Sequence, residues 1–275
     1  MGSDHNGIGR EARLSKRPAF RSLGSAMTRR LFKVVLATAG VTVFAAVVSG
    51  AVAQTSPSER ELRIYAGLHD AAARGDVAEI EKLAAEGEKL NIQDAKSRTP
   101  LHVAVFMRKH DAARALLRLG ADPNALDAER YDIITIAAVN SDLEMLKIAL
   151  EGGGNARAIT SPYDGTALIA AAHRGHVDVV RALIAAKAPL NHVNNLGWTA
   201  LLEAVVLGNG GRDHTAVVEA LVKAGADVTL PDRHGTTALG HARTRGYSQI
   251  ARRSKESAAP GWFIPVPGSD RRRQN

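Results

Sequence analysis

Ten histidines are the residues of this chain whose chemistry could serve metal binding or proton transfer. His173 and His176 are three residues apart, a spacing at which two rings can share one helix face and bind zinc. Gly175 lies between them and ends the helix that would hold both, and no third ligand is near in sequence. His234 and His241 are too far apart to form such a pair. The sequence therefore predicts no metal site.

A catalytic nucleophile and a phosphate-binding loop also leave recognisable patterns. The G-x-S-x-G frame of a serine nucleophile does not occur in the chain. Gly152-Gly153-Gly154 is not followed by the Lys-Ser/Thr pair of a phosphate-binding loop, and no strand precedes it. The chain has no cysteine, which excludes disulfides, thiolate metal ligands and a cysteine nucleophile. We expect a protein that is not an enzyme and that uses no cofactor.

The positive charge of the chain lies at its two ends. A formal net charge of +8 would suggest a nucleic-acid partner. However, residues 1–53 carry 8 Lys/Arg and 2 Asp/Glu, and residues 252–275 carry 6 and 2. The span 54–251 carries 22 Lys/Arg and 24 Asp/Glu, so the middle of the chain is slightly acidic. The sequence therefore predicts no nucleic-acid partner.

The N-terminal region has the layout of a signal sequence. Residues 34–58 carry no charge and follow the basic stretch 27–33. Ala51 and Ala53 fit an A-x-A cleavage site, so we predict cleavage after Ala53 and a periplasmic or secreted protein. The uncharged run also reaches the ~20 residues that cross a bilayer. The alternative is thus a retained membrane anchor with the remainder in the periplasm.

Translation start and export route stay open. Residues 1–26 are polar, basic and without periodicity, so either Met1 or Met27 could be the start. Thr28 to Phe32 resembles the beginning of a twin-arginine export motif, but Lys33 comes one place early. Both twin-arginine and ordinary Sec export are compatible with this pattern.

A single apolar anchor residue recurs along the middle of the chain. The anchors follow one another at intervals of 33, 33, 34, 33 and 38 residues, at Leu68, Leu101, Ile134, Leu168, Leu201 and Leu239. Thr99 to Ala104 read T-P-L-H-V-A, which resembles the ankyrin signature T-P-L-H-x-A and its period of about 33. The resemblance implies an all-α ankyrin-repeat solenoid, built of helix-turn-helix repeats with β-hairpin finger loops. It also implies that His69 and His102, at the signature histidine, tie neighbouring repeats together.

The local sequence marks where the helices begin and end. Two places before the anchor stands a residue that can cap a helix N-terminus, namely Thr99, Thr166, Thr199, Thr237 and, in the third repeat, Asp132. Seven places after the anchor, glycine predicts the turn after the first helix at Gly75, Gly175, Gly208 and Gly246, whereas Arg108 and Ser141 depart from this pattern. The second helix is predicted to stop at Gly87, Gly120, Gly153 and Gly225, with Lys187 as the exception.

These patterns predict the domain organisation. Residues 1–26 form a disordered extension, 27–53 the signal peptide, 54–251 the ankyrin-repeat domain and 252–275 a basic, proline-containing tail. The six repeats cover residues 59–91, 94–124, 127–157, 162–191, 195–229 and 232–251.

Three segments depart from the common repeat. Residues 59–65 read as helix that begins earlier than in the other repeats, and 247–251 as a short remnant of a second helix. Five extra residues, 209–213, predict a flexible surface loop, either functional or merely tolerated. In the tail, residues 262–267 read W-F-I-P-V-P and would either cover the last repeat or act as a short docking motif.

Protein binding is the function that the repeats imply, because a solenoid presents a long concave face. Its exposed residues are expected five and six places after each anchor and at the finger tips. The predicted partner-binding residues are Phe106, Met107, Arg130, Tyr131, Val139, Tyr163, His173, Arg174, Leu196, Trp198, Val206 and Leu207. The alternative for Phe106, Val206 and Trp198 is that they fill gaps between repeats.

We therefore expect a monomeric scaffold that binds a protein partner of unknown identity, with no nucleic-acid partner and membrane contact only through an uncleaved signal segment. The alternatives are a regulator or stabiliser of a periplasmic enzyme, or a secreted effector acting on host proteins.

Overall fold

From the second repeat onward, the first helix of a repeat begins where a short polar side chain precedes an apolar run. In the first repeat it follows Ala66, whose side chain cannot cap it. The computed structural model describes residues 56–257. In it, Oγ1 of Thr99 accepts the amide of His102 at 3.4 Å, and the carboxylate of Asp132 accepts that of Thr135 at 2.8 Å. The same bond forms at Thr166, Thr199 and Thr237. The predicted N-caps are confirmed, and each satisfies an amide that has no partner within its helix.

Residues 56–257 form a succession of short helices joined by turns. They are α1 (Glu59–Ile64), α2 (Gly67–Arg74), α3 (Val77–Ala85), α4 (Pro100–Phe106), α5 (His110–Leu119), α6 (Ile133–Val139), α7 (Leu143–Glu151), α8 (Ala167–Arg174), α9 (Val177–Ala185), α10 (Ala200–Val206), α11 (Arg212–Lys223), α12 (Ala238–Thr244) and α13 (Ser248–Ser257). From α2 onward they alternate between the first and the second helix of a repeat.

The helices stack in two layers. The first helices, α2, α4, α6, α8, α10 and α12, pack on one another, as do the second helices from α3 to α13. The anchors Leu68, Leu101, Ile134, Leu168 and Leu201 are at most 1% exposed between the layers. Full burial of such a side chain contributes about 1.5–3 kcal/mol. Leu239 is only half-buried, because no further first helix covers α12.

The turn after the first helix is left-handed in most repeats, even where glycine is absent. In the fifth repeat, which contains the insertion, Gly210 rather than Gly208 has a positive φ, of 70°. Gly75 and Gly175 have φ of 78° and 73°, and Arg108 and Ser141 in the same place have φ of 55° and 54°. These two residues adopt the left-handed conformation that glycine adopts without steric cost. Arg108 and Ser141 therefore replace glycine in the sequence without changing the backbone conformation of the turn.

The finger loops are short hairpin turns rather than extended strand pairs. Within residues 56–257 no strand forms, and the fingers contain two isolated bridges, Thr160 with Gly165 and Pro231 with Thr237. A side chain at the base of each finger accepts the amides that a strand ladder would otherwise pair. The fingers are therefore short turns, each closed by a backbone hydrogen bond such as that from the amide of Asp94 to the carbonyl of Arg98 at 3.0 Å.

The ends of the array and the insertion contain more helix than the sequence predicts. The segment expected to extend the first repeat's helix is a separate helix, α1, capped by Ser58. Instead of a remnant at 247–251, α13 has ten residues and runs to Ser257, past the predicted boundary at 251. Part of the predicted loop 209–213 lies in the twelve-residue helix α11.

Within residues 56–257, no helix is long and apolar enough to cross a membrane. The predicted N-terminal extension, the signal peptide and the W-F-I-P-V-P motif lie outside the described residues.

Candidate protein-interaction surface

The predicted surface residues fall into a buried and an accessible group. Four of them are buried in the core, namely Phe106, Tyr131, Val139 and Trp198, with 9%, 2%, 9% and 9% exposure. The expectation that these side chains are exposed is wrong. Successive first helices pack directly on one another, so a large side chain at these places is covered by the next repeat. For Phe106 and Trp198 the gap-filling alternative describes the structure.

The remaining predicted residues reach solvent. Arg130 and Arg174 are exposed. The half-buried members are Met107, Tyr163, His173, Leu196, Val206 and Leu207. We call the inner face the surface made by the finger tips and by the residue six places after each anchor. It combines apolar and cationic side chains, as protein interfaces do.

The finger loops are held in a row by backbone hydrogen bonds. The amide of Ala128 donates to the carbonyl of Lys96, and the amide of Asn195 to that of Tyr163, both at 2.9 Å. Between them, the amide of Ser161 donates to the carbonyl of Arg130 at 2.8 Å. Tip side chains on neighbouring fingers are therefore kept at a fixed spacing, which reduces the ordering cost of binding.

A side chain at the base of each finger shapes the turn, and the sequence analysis missed it. Oδ1 of Asp94 accepts the amides of Lys96 at 2.8 Å and Arg98 at 2.9 Å. The equivalent acceptors in the next four repeats are Asp127, Ser161, Asn194 and Asp232. All five stand seven places before the anchor, and this regular spacing of short polar residues is the signal that could have revealed them.

Arg98, which the repeat pattern places near a finger tip, is instead buried at 1% exposure. Its guanidinium bonds to Asp94 at 2.7 Å and to Glu61 of α1 at 2.5 Å. A hydrogen bond from Ser58, followed by the contact with Arg98, lowers the pKa of Glu61 to about 2. This cluster attaches α1 to the first finger.

The centre of the inner face brings together side chains from two fingers and one helix. Burial raises the pKa of Tyr131 to about 12. The negative charge of Glu129 and the nearby Tyr163 act in the same direction, and the positive charge of Arg174 opposes them. The charge of Arg174, at the end of α8, therefore lies close enough to the fingers to act on Tyr131.

A buried carboxylate, also missed in the sequence, connects two repeats below this surface. Nδ1 of His173 lies 3.1 Å from Oε2 of Glu203, and Asn194 donates to Oε1 at 3.0 Å. The signal was a single acid within the otherwise apolar run of α10. Because its partners are a helix residue of one repeat and a finger residue of the next, Glu203 holds fingers and helices in register.

The two histidines that could form a zinc pair are directed to opposite neighbours. His173 contacts Glu203 in the following repeat, whereas Nδ1 of His176 lies 3.0 Å from the carbonyl of Ala138 in the preceding one. In the described part of the chain, no group of three or more His, Cys, Asp or Glu residues could hold a metal ion. The geometry thus gives these rings a role in stacking the repeats.

Comparison with known proteins identifies the repeats. The family profile described as ankyrin repeats, in three copies, matches residues 59–127 and 134–232, more than half of the chain. This chain belongs to the ankyrin-repeat family. Ankyrin repeats mediate protein–protein interactions, and the extended face of such a solenoid is the surface that they use.

Bacterial ankyrin proteins are among the similar chains. YahD of Escherichia coli K12, an ankyrin repeat protein, is 34% identical over 182 residues, which cover 66% of this chain and 90% of YahD. A crystal structure of an ankyrin repeat domain from Acinetobacter baumannii is 43% identical with a TM-score of 0.67, and the match covers 69% of this chain and 96% of that one.

A further match is to a solved complex. It is a chain from the structure of a predatory endopeptidase of Bdellovibrio bacteriovorus in complex with an immunity protein. That chain is 25% identical with a TM-score of 0.59, and the match covers 70% of this chain and 98% of that one.

The signature histidines of the ankyrin repeats tie neighbouring repeats as expected. Nε2 of His69 lies 2.8 Å from the carbonyl of Arg98, and Nε2 of His102 lies 3.2 Å from that of Tyr131. Burial lowers the pKa of His102, which favours its neutral form. A neutral ring can donate from one nitrogen and accept at the other, which suits its position between this carbonyl and Thr99.

Proposed function

We propose that this chain is a protein-binding scaffold outside the cytoplasm, which holds a protein partner on its inner face and catalyses no reaction itself. The observation that carries the proposal is the row of fingers joined by backbone hydrogen bonds. This row presents Tyr163 and Leu196 beside Leu207 on a preorganised surface. Aromatic and aliphatic side chains held in this way are suited to serve as anchors in a protein interface.

The proposed binding set is narrower than the one predicted from the sequence. Phe106, Tyr131, Val139 and Trp198 support the surface from below. The accessible residues that would contact a partner are Met107, Arg130, Tyr163, His173, Arg174, Leu196, Val206 and Leu207. We further propose that the chain is a monomer and that it binds no nucleic acid.

The location rests on the sequence of the first 58 residues. The uncharged run 34–58 behind a basic start favours export, and Ala51 and Ala53 favour cleavage after Ala53. Alkaline phosphatase fused after residue 53 tests this directly, because its disulfides form only outside the cytoplasm. An active fusion is the expected result, whereas an inactive fusion found in the cytoplasm would refute export.

Binding is tested by quantitative capture with matched leucine variants. The full chain, tagged at its C-terminus, is expressed in a Gram-negative host, and the proteins retained from the cell envelope are compared. Leu196→Glu places a charge on the inner face, and Leu119→Glu places the same charge at the end of α5, in the second-helix layer. We expect retained proteins to be lost with Leu196→Glu and kept with Leu119→Glu. Equal retention by both variants would refute the inner face as the binding surface.

A second candidate function is regulation or stabilisation of an enzyme outside the cytoplasm. The similarity to a chain from an endopeptidase–immunity protein complex favours this candidate. It would use the same inner face, with the enzyme as partner. The activity of a captured hydrolase, measured with and without added chain, distinguishes the two functions. A change in activity supports regulation, and unchanged activity leaves the scaffold role.

A further inference from the structure

Three arginines on the inner face of the last repeats have no carboxylate partner within residues 56–257. Residues 54–251 are slightly acidic as a whole. The inner face of the last three repeats, however, carries three exposed or half-exposed cations, Arg174, Arg233 and Arg245. A half-exposed acid on this face, Asp164, is paired with Arg130. Arg174 and Arg245 stand six places after their anchors, and Arg233 lies at the tip of the last finger.

No carboxylate of the described residues pairs with these three arginines. Arg233 donates to the carbonyl of Asn195 on the preceding finger. The guanidinium of Arg245 lies 6.0 Å from the ring centre of Tyr247. Arg174 is exposed and makes neither kind of contact. Their charges therefore remain available to a partner.

The carboxylates on the finger side of these repeats already have partners. Asp164 lies 3.0 Å from Arg130. Glu203 is bonded to His173 and Asn194, and Asp232 lies 2.7 Å from His241. The remaining acids of these repeats are on the second helices or in the loop that follows them. The inner face of repeats four to six is thus cationic around the half-buried Tyr163, Leu196 and Leu207.

On the second-helix face, several cations are paired with carboxylates. Arg114 bonds to Glu144 at 3.1 Å, and Lys223 to Glu219 at 2.9 Å. Arg181 likewise lies 3.2 Å from Asp178. The second helices thus carry carboxylates beside several of their cations, whereas no carboxylate of the described residues pairs with the three inner-face arginines.

We infer that the inner face of repeats four to six binds an acidic surface or segment of a protein, with Arg174, Arg233 and Arg245 around an apolar centre. This inference rests on the proposed binding function and specifies the chemistry of the partner. Complementary charge steers the encounter and selects against basic partners. A nucleic-acid partner is less well supported, because three cations are fewer than the roughly 6–10 phosphate contacts that a DNA-binding protein can make.

Selection from a library of random 12-residue peptides displayed on phage tests the inference without a known partner. The full chain is the bait, and binding of recovered peptides is measured at low and high salt. We expect peptides with net negative charge and at least one large apolar residue. Binding should weaken about tenfold or more between 50 mM and 500 mM salt, since exposed charges are screened at high salt.

Charge reversal with a matched control locates the effect. The inner variant is Arg174→Glu/Arg233→Glu/Arg245→Glu. The control is Lys89→Glu/Lys147→Glu/Arg157→Glu, which changes the net charge by the same amount. These three cations are exposed and have no carboxylate partner among the described residues. Arg157 also donates to the carbonyl of Lys187. We expect at least about tenfold weaker peptide binding for the inner variant and less than twofold for the control. Thermal unfolding of both variants verifies that each is folded.

Other outcomes overturn the inference in distinguishable ways. Neutral or basic peptides that lose binding with Leu196→Glu would leave the inner face as the binding site and refute an acidic partner. A (dT)12 oligonucleotide that binds as tightly as the peptides, and is released by the inner variant, would assign the cations to nucleic acid. Two further results are that the selection recovers no peptide above background and that the inner and control variants lose binding equally. Either result would refute the claim that the three inner-face arginines recognise an acidic partner.

Discussion

Nδ1 of His173 lies 3.1 Å from Oε2 of Glu203, thirty residues further along the chain. The other carboxylate oxygen accepts a hydrogen bond from Asn194 at the base of the following finger. One buried acid therefore links the helix of the fourth repeat to the finger of the fifth. A residue expected to bind a partner, His173, is thereby fixed in place by the packing of the repeats.

Replacement of Glu203 by alanine is expected to lower the free energy of unfolding by about 2–3 kcal/mol, because buried polar groups of its partners are left without bonds. His173→Ala should cost less, about 1 kcal/mol, since the ring is 25% exposed. Urea denaturation of the two single variants and of the double variant measures the coupling. A double variant whose cost equals the sum of the single costs would contradict a direct interaction.

Phe106 and Trp198 are expected to stabilise the fold rather than to bind a partner. Each is 9% exposed, and truncation of a buried aromatic residue to alanine costs about 3–5 kcal/mol. Met107→Ala, at a half-buried place beside Phe106, is the matched comparison and should cost less than 2 kcal/mol. Denaturant midpoints provide the measurement. If Phe106→Ala and Trp198→Ala leave the midpoint unchanged, these side chains do not fill gaps between repeats.

Lys187 is the non-glycine residue in the turn after the second helix, with φ of 63°, where Gly120 has φ of 103°. Lys187→Gly should stabilise the fold by about 1 kcal/mol, because the left-handed conformation costs other residues roughly 1–2 kcal/mol. Gly120→Ala should destabilise it by a similar amount, since an added Cβ meets no atom within 4 Å and only the backbone cost remains. Thermal unfolding of both variants measures the two effects. Unfolding temperatures that shift in the same direction for both variants would refute the explanation from backbone conformation.

The pH dependence of stability should report on Asp94. Burial acts to raise its pKa, but hydrogen bonds from Tyr65, at 2.6 Å, and from Arg98 outweigh burial and lower the pKa to about 2 from its usual 3.8. A lowered pKa in the folded state gives stability that is present above the unfolded value and lost as the pH falls toward 2.

For a shift of this size, the stabilisation from the charged form is on the order of 2 kcal/mol. The stability difference between the natural chain and Asp94→Asn should therefore be largest near pH 7 and shrink between about pH 4 and pH 2. Urea unfolding at several pH values measures the difference. A difference that stays constant down to pH 2 would contradict the proposed role of the charge.

The period and the caps were sufficient to predict the first helices of the repeats. From the second repeat onward each anchor has a fixed distance to a cap, so both the burial of Leu101 and the capping by Thr99 follow from spacing alone. The left-handed turn at Arg108 did not follow, because its residue type disfavours that conformation. There the geometry is imposed by the stacked repeats, which override the local preference.

The interaction surface was less predictable than the fold. Periodicity gives the face of a helix on which Phe106 lies, but it does not give the distance to the next repeat, which determines whether that face is covered. The acid within the apolar run of α10 marks Glu203 as unusual, but its partner His173, thirty residues away, does not follow from any local pattern. The cationic character of the inner face of repeats four to six emerged only when the faces were known, since the summed charge of residues 54–251 conceals it.

The most direct measurement for the central claim is photo-crosslinking in living cells at single positions of the full chain. A benzophenone amino acid replaces Tyr163, Leu196 or Leu207 on the inner face, and Arg114, Lys147 or Arg181 on the second helices. A scaffold that binds through its inner face predicts a discrete protein adduct at the first three positions and none at the other three. Adducts that form only from the second helices, or equally from both faces, would contradict it.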